Sequence, residues 1–197
     1  MRLVFIGCTN RQDDLLAVPD GDVLICTGDF SSYFGMRYDL DRFNALLGRL
    51  PHKHKFVVFG DRDLWCDDHE EEAISRMFNA KVLLDETVEV DGVKIHGTPW
   101  APWSFGRKYG FMRMAFCDDD NFIQYRWAHI PEGLDVLVTH CPPGWCGLEE
   151  IVAKVRPKVH AFSHGDGKQY YARIKQVNVT QFDGAGKQVG KPVVMDI

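Results

Sequence analysis

Short apolar runs recur along this chain, and each stops at Gly, Asp or His. Leu3 to Ile6, Val23 to Cys26, Phe56 to Phe59, Val88 to Ile95, Leu134 to Val138 and Val159 to Phe162 all read as strands. Runs with no polar alternation are buried on both faces, the signature of parallel sheets covered by helices. Helical periodicity lies between the runs. From Asp39 to Leu50, the residues Leu40, Phe43, Leu46, Leu47 and Leu50 fall on one face, and Pro51 ends the segment. Leu148, Ile151, Val152 and Val155 repeat that spacing, with Pro157 closing it. This alternation predicts βαβ units and an α/β fold. The segment from Ile174 to Met195 reads as β-hairpins around the turn Asp183-Gly184-Ala185-Gly186. Gly97 to Asp120 has no clean period and is rich in aromatic residues, the pattern of a functional or lid-like loop. No linker or repeat interrupts the chain, so residues 1–197 are expected to form a single domain.

Charge and cysteine content narrow the function classes. The formal net charge is −5 and no Lys/Arg block stands out, which disfavours an extended nucleic acid as partner but not a small phosphate ester. No apolar run approaches the roughly 18 residues that span a bilayer, and the N-terminus runs straight into a strand, so no membrane partner and a cytoplasmic location are expected. The six cysteines then read as reduced thiols, mostly filling the core. Oligomeric state is not legible.

Polar residues stand immediately after the apolar runs, where open α/β sheets place their sites. Asp29 follows VLICTG, Asp61 follows FVVFG, His140 follows VLVT, and His164 follows HAFS. Each has an ordinary alternative: Asp29 could cap a helix, Asp61 could close a turn, and either histidine could be a hydrogen-bonded structural group. Two carboxylates and two imidazoles at four strand ends together point to a divalent transition metal such as Mn, Fe or Zn. The remaining histidines, His52, His54, His69, His96, His129 and His160, receive no site role at this level.

The order of these motifs resembles the calcineurin-like metallophosphoesterases, and in particular their metallophosphoesterase-domain-containing branch. That family runs D-x-H, G-D, G-N-H, a lone H, then G-H-x-H. Here the matching positions are Cys8-Thr9-Asn10, Gly28-Asp29, Gly60-Asp61-Arg62, His140 and Ser163-His164-Gly165-Asp166. GDVLICTGDF, VKIHGTPWAPW, IPEGLDVLVTHCPP and KPVVMDI carry the likeness along the whole chain. The resemblance implies two packed mixed β-sheets flanked by helices.

It also implies that one of the family's two metal positions is retained, with Asp29, Asp61, His140 and His164 as ligands and Asp61 in place of the family's Asn. At the other position Cys8, Asn10 and Asp166 replace Asp, His and His. The second ion is then either lost, which is the favoured expectation, or held by a rebuilt set of thiolate and oxygen donors. Arg62 stands where the family has a histidine; it can clamp a phosphate but cannot deliver a proton at neutral pH. The resemblance therefore implies a phosphoesterase, expected to be a slow or narrowly specific phosphodiesterase on a small nucleotide-like ester. Arg62, Asp29 and His140 are its catalytic candidates, and at least one ion is its cofactor. The alternative is a degenerate binding module that holds metal or phosphate without turnover.

Overall fold

The computed structural model describes residues 1–32, 34–108, 113–164 and 174–197. The first sheet is built from β1 (Arg2–Ile6), β2 (Val23–Cys26), β3 (His54–Val57) and β4 (Lys81–Val82). Helices α1 (Arg37–Arg49), α2 (Leu64–Asp68) and α3 (Glu70–Arg76) lie between its strands in sequence. The second sheet begins with β5 (Glu86–Val90) and β6 (Val93–Thr98). A two-stranded ribbon follows, β7 (Ala101–Pro102) and β8 (Cys117–Asp118), with α4 (Trp103–Lys108) between them. Then come α5 (Asp120–Trp127), β9 (Val136–Thr139), α6 (Leu148–Val155), β10 (Val159–Phe162), β11 (Lys175–Asn178) and β12 (Val193–Asp196).

The sheet orders are β12-β1-β2-β3-β4 and β11-β10-β9-β6-β5. Both are mixed: β1 to β4 run parallel with β12 antiparallel at one edge, and β6, β9, β10 and β11 run parallel with β5 antiparallel at the other. The two sheets pack face to face, and this explains the uninterrupted apolar runs. Leu3, Phe5, Val23 and Ile25 of the first sheet meet Ile95, Val136, Val138 and Ala161 of the second in one buried cluster. The alternate residues Val4, Ile6, Leu24 and Val57 turn outward onto Leu40, Phe43 and Leu47 of α1 and Ala73 of α3. Leu137 of the second sheet likewise packs on Ile123 and Trp127 of α5 and Val152 of α6. Every central strand is therefore covered on both faces.

The structure departs from expectation at four places. Val88 to Ile95 is not one strand but the antiparallel hairpin β5–β6, turned at Asp91-Gly92, where both residues have positive φ. The C-terminal segment does fold back around 183–186, with an antiparallel bridge between Phe182 and Gln188, but this hairpin is short. Its turn is closed by Gly186 N–H to Asp183 C=O at 3.0 Å and by Asp183 N–H to Lys187 C=O at 3.0 Å, while the longer strands on either side, β11 and β12, join different sheets. A local turn signal cannot tell how far a hairpin extends, because the pairing of the longer strands is decided by apolar partners far away in sequence. Helix α1 starts two residues before the expected Asp39. The Asp39 carboxylate accepts from the N–H groups of Met36 and Ser32 at 3.1 Å, which caps the earlier turn. Within 97–120, α4 and the β7–β8 ribbon replace the expected irregular loop. Among the described residues no helix is long and apolar enough to cross a membrane, and all six cysteines are free thiols.

Candidate metal centre

Parallel strands of both sheets end at the same edge, so the residues that follow them converge. Thr27-Gly28-Asp29 follows β2, and Gly60-Asp61 lies three to four residues beyond β3. His140 follows β9, and Ser163-His164 follows β10. One ligand atom from each of Asp29, Asp61, His140 and His164 lies within 4.8 Å of all the others. His140 Nε2 is 2.6 Å from Asp61 Oδ1 and 3.6 Å from Asp29 Oδ1. His164 Nε2 is 2.9 Å from Asp29 Oδ2 and 3.2 Å from Asp61 Oδ1. Asp29, Asp61 and His140 are buried, and His164 is partly exposed. The helix-cap alternative for Asp29 does not describe its position, since the next helix begins eight residues later. Asp61 does lie in a turn, closed by Asp63 N–H to Gly60 C=O, yet its carboxylate faces both histidines.

The donor set fits a divalent cation. His140 Nδ1 lies 2.7 Å from the Thr27 carbonyl, which can only accept, so Nδ1 carries the proton and Nε2 offers its lone pair to the cluster. Burial opposes charging of His140, but Asp29 and Asp61 outweigh it and push the imidazole pKa up to about 9. His164 is likewise raised against the cost of burial, by Cys8 and Asp61. Burial would raise Asp61, yet the two imidazoles hold it well below the usual carboxylate range. Such a cluster is stabilised by positive charge, whether that charge is a proton or a metal ion.

The other candidate residues divide. Cys8 Sγ lies 3.6 Å from His164 Nε2 and 3.9 Å from Asp29 Oδ2, on the flank of the cluster. Asn10 turns its Nδ2 to the carbonyls of Phe182, Asp183 and Cys8, and its Oδ1 accepts from Arg62 Nη1 at 3.2 Å. Arg62 Nε is 4.0 Å from Asp29 Oδ2, and its backbone N–H donates to Asp29 Oδ1 at 2.9 Å. Asp166 lies outside the described residues.

Backbone geometry shows how tightly the site is built. Cys8, Asn10, Asp29 and His164 all have positive φ, a conformation costing on the order of 1–3 kcal/mol for each non-glycine residue. At Gly60 a Cβ would stand 2.3 Å from Asp29 Oδ1, so only glycine lets the loop approach that carboxylate.

Sequence reasoning missed Asp63. It is fully buried, and its carboxylate accepts from the N–H groups of Gly60 (2.8 Å), Asp29 (3.1 Å) and Ser31 (3.1 Å). Burial and neighbouring Asp29 push its pKa up to about 7. It ties the β2 and β3 loops together below the ligands. The only signal was its place in the Gly60-Asp61-Arg62-Asp63 run, where a solvated turn residue would read the same.

No family model matches the sequence. A UPF0046 protein of Caenorhabditis elegans is 32% identical over 235 residues, spanning 100% of this chain and 81% of that protein. Human metallophosphoesterase domain-containing protein 1 is 28% identical over 237 residues, spanning 100% of this chain and 71% of that protein. Among solved structures, TT1561 of Thermus thermophilus superposes with a TM-score of 0.60 over 99% of this chain and 98% of that one, at 12% identity, a likeness of fold. With its two mixed sheets, flanking helices and relatives of this kind, the chain belongs to the calcineurin-like metallophosphoesterase family, in the branch of the UPF0046 proteins and metallophosphoesterase domain-containing protein 1.

Proposed function

We propose that this chain is a metal-dependent phosphoesterase, acting slowly as a phosphodiesterase on a small nucleotide-like ester. The observation that carries the reading is the convergence of Asp29, Asp61, His140 and His164 from four strand ends to within 4.8 Å, with Arg62 beside them. The metallophosphoesterase domain named in the human and mouse relatives supports the same reading. These four residues would hold one divalent ion, of the Mn, Fe or Zn class. A cation there supplies Lewis acidity toward a phosphoryl group and a nucleophile at neutral pH from water.

The chain's own residues do the rest. The Thr27 carbonyl holds the His140 proton on Nδ1, keeping Nε2 available. Arg62 is only 13% exposed along its side chain, so its charge acts in a poorly solvated setting, where a guanidinium binds phosphate oxygens strongly. Asn10 orients that guanidinium. Arg62 cannot protonate a leaving group, which favours esters whose leaving oxygen needs no acid.

Asn10 also favours a second reading, a binding module without turnover. Its carboxamide is committed to Arg62 and to backbone carbonyls, so a second ion would lack one family ligand type at that point. Both readings take residues 1–197 as one domain. Initial rates on an activated phosphodiester with manganese, compared between wild type and His140→Ala, separate them. Metal-dependent turnover that His140→Ala abolishes supports the enzyme, and tight nucleotide binding with no turnover supports the module.

A further inference from the structure

A second cavity lies away from the metal centre, on the outer face of the second sheet, and shares no residue with it. Asp85, His96, Tyr125, Arg126, His129 and Ile130 line a space of about 230 Å³ between the end of α5, β6 and the turn before β5. Its innermost polar group is His96, which is 4% exposed. The ring uses Nδ1 on Thr87 Oγ1 at 2.9 Å, while the buried Nε2 meets no partner among the described residues. Leaving a buried imidazole nitrogen unsatisfied is unfavourable, so the site gains from a ligand that reaches it.

The remaining wall is nearly neutral, and within it Arg126 Nε is a second buried polar atom without a partner among the described residues. Asp85 Oδ2 accepts from Trp100 Nε1 at 2.8 Å and from Arg126 Nη1 at 2.9 Å. The Arg126 guanidinium lies 3.8 Å from the centroid of the Trp100 ring and 4.9 Å from that of Phe122. Asp85 and Arg126 thus cancel each other, and burial keeps His96 toward its neutral form. A free phosphate or an ammonium group would find no uncompensated opposite charge here. What the wall does offer is aromatic surface. Tyr125 is 64% exposed and packs on His129 with ring centroids 4.5 Å apart, while His129 Nδ1 is held by the Tyr125 carbonyl at 2.7 Å.

From these features we infer that the cavity is a binding site for a neutral, flat nitrogen heterocycle of purine size. Its edge pairs with His96 Nε2 and its face stacks on Tyr125. An imidazole nitrogen pairs with either a ring N–H or a ring nitrogen, according to its tautomer, so both kinds of edge are accommodated. Stacking then supplies the rest of the affinity.

The test uses the full chain with its metal, titrated with adenine and with adenosine, neither of which carries a phosphate. Binding is followed by calorimetry and by the ¹⁵N shift of the His96 ring. Saturable binding with a Kd near or below about 1 mM is expected, with a shifted His96 Nε2 resonance. Tyr125→Ala and His96→Phe should each weaken it at least about tenfold without altering metal content. If His96→Phe does not fold, Tyr125→Ala and the His96 resonance decide. Adenine binding with adenosine excluded marks a free-base site, and equal binding of both marks a nucleoside site; either result supports the proposal. No binding to wild type overturns it, as does binding that leaves the His96 resonance unmoved or affinity unchanged in Tyr125→Ala.

Discussion

Arg62 Nη1 donates to Asn10 Oδ1 at 3.2 Å, across a gap of 52 residues in sequence. The guanidinium that would meet a phosphate is thus aimed by a carboxamide anchored on the carbonyls of Phe182 and Asp183. Charge-assisted hydrogen bonds of this kind contribute about 1.5–3 kcal/mol each. Arg62→Ala is therefore expected to weaken nucleotide monophosphate binding roughly ten- to a hundredfold. Asn10→Ala should weaken it less and in the same direction. Metal content should stay constant in both, since Arg62 offers a cation no lone pair. Calorimetry beside elemental analysis checks this, and unchanged affinity in Arg62→Ala would remove that residue from the site.

Protein purified without chelator should carry close to one transition metal per chain. His140→Ala and His164→Ala should each lose it, because either change removes a nitrogen donor from the four-residue cluster. Metal analysis of the three proteins is sufficient, and equal content in all of them would sink the assignment.

The motif resemblance sets Cys8, Asn10 and Asp166 against the family's Asp, His and His. Restoring those types together, as Cys8→Asp, Asn10→His and Asp166→His, should raise metal content from one ion toward two and speed hydrolysis of an activated phosphodiester. Two ions clamp the attacking and leaving oxygens from both sides. Stoichiometry and initial rate at saturating manganese are the measurements. A wild type that already binds two ions, with no gain in the triple variant, would mean that Cys8 and its neighbours form a rebuilt site.

Asp63 accepts from three backbone N–H groups, those of Gly60, Asp29 and Ser31. In Asp63→Ala those donors lose their buried acceptor, so unfolding free energy should fall by roughly 3–5 kcal/mol. Asp63→Asn keeps one carbonyl oxygen and should lose less. Denaturant unfolding ranks the three proteins, and equal midpoints would contradict the role.

His160 gives a stability change with pH. Burial lowers its pKa to about 3 in the folded chain, against about 6.5 when unfolded. The unfolded chain therefore takes up a proton that the native chain refuses. The contribution of His160 is complete above about pH 6.5 and is lost as pH falls toward 3, with a slope approaching 1.4 kcal/mol, about one tenfold change in equilibrium, per pH unit. His160→Gln keeps an N–H for the Thr139 hydroxyl, 2.9 Å from His160 Nε2 in the wild type. The variant should unfold with a shallower dependence between pH 4 and about 6.5. Identical pH profiles for the two proteins would show that His160 is not the group responsible.

Much of the fold was legible because its signals are local. Val23 to Cys26 or Val159 to Phe162 can be apolar throughout only where both faces are covered, and parallel strands so covered end on one edge. That logic alone placed Asp29, Asp61, His140 and His164 together. By the same measure, Val88 to Ile95 looked continuous because Asp91-Gly92 is short and the flanking residues are apolar on both sides.

What the sequence by itself determined is the α/β class, the covered parallel strands and the residue types at their ends. Only the tertiary structure decided that β11 and β12 join opposite sheets, that Asn10 faces Arg62, and that Asp63 binds two loops from below. It also decided that His96, which has no distinguishing neighbours in sequence, ends with a bare nitrogen at a cavity. Each of these depends on which distant segment supplies the partner for a polar group once water is excluded. Periodicity along the chain carries no information about that choice.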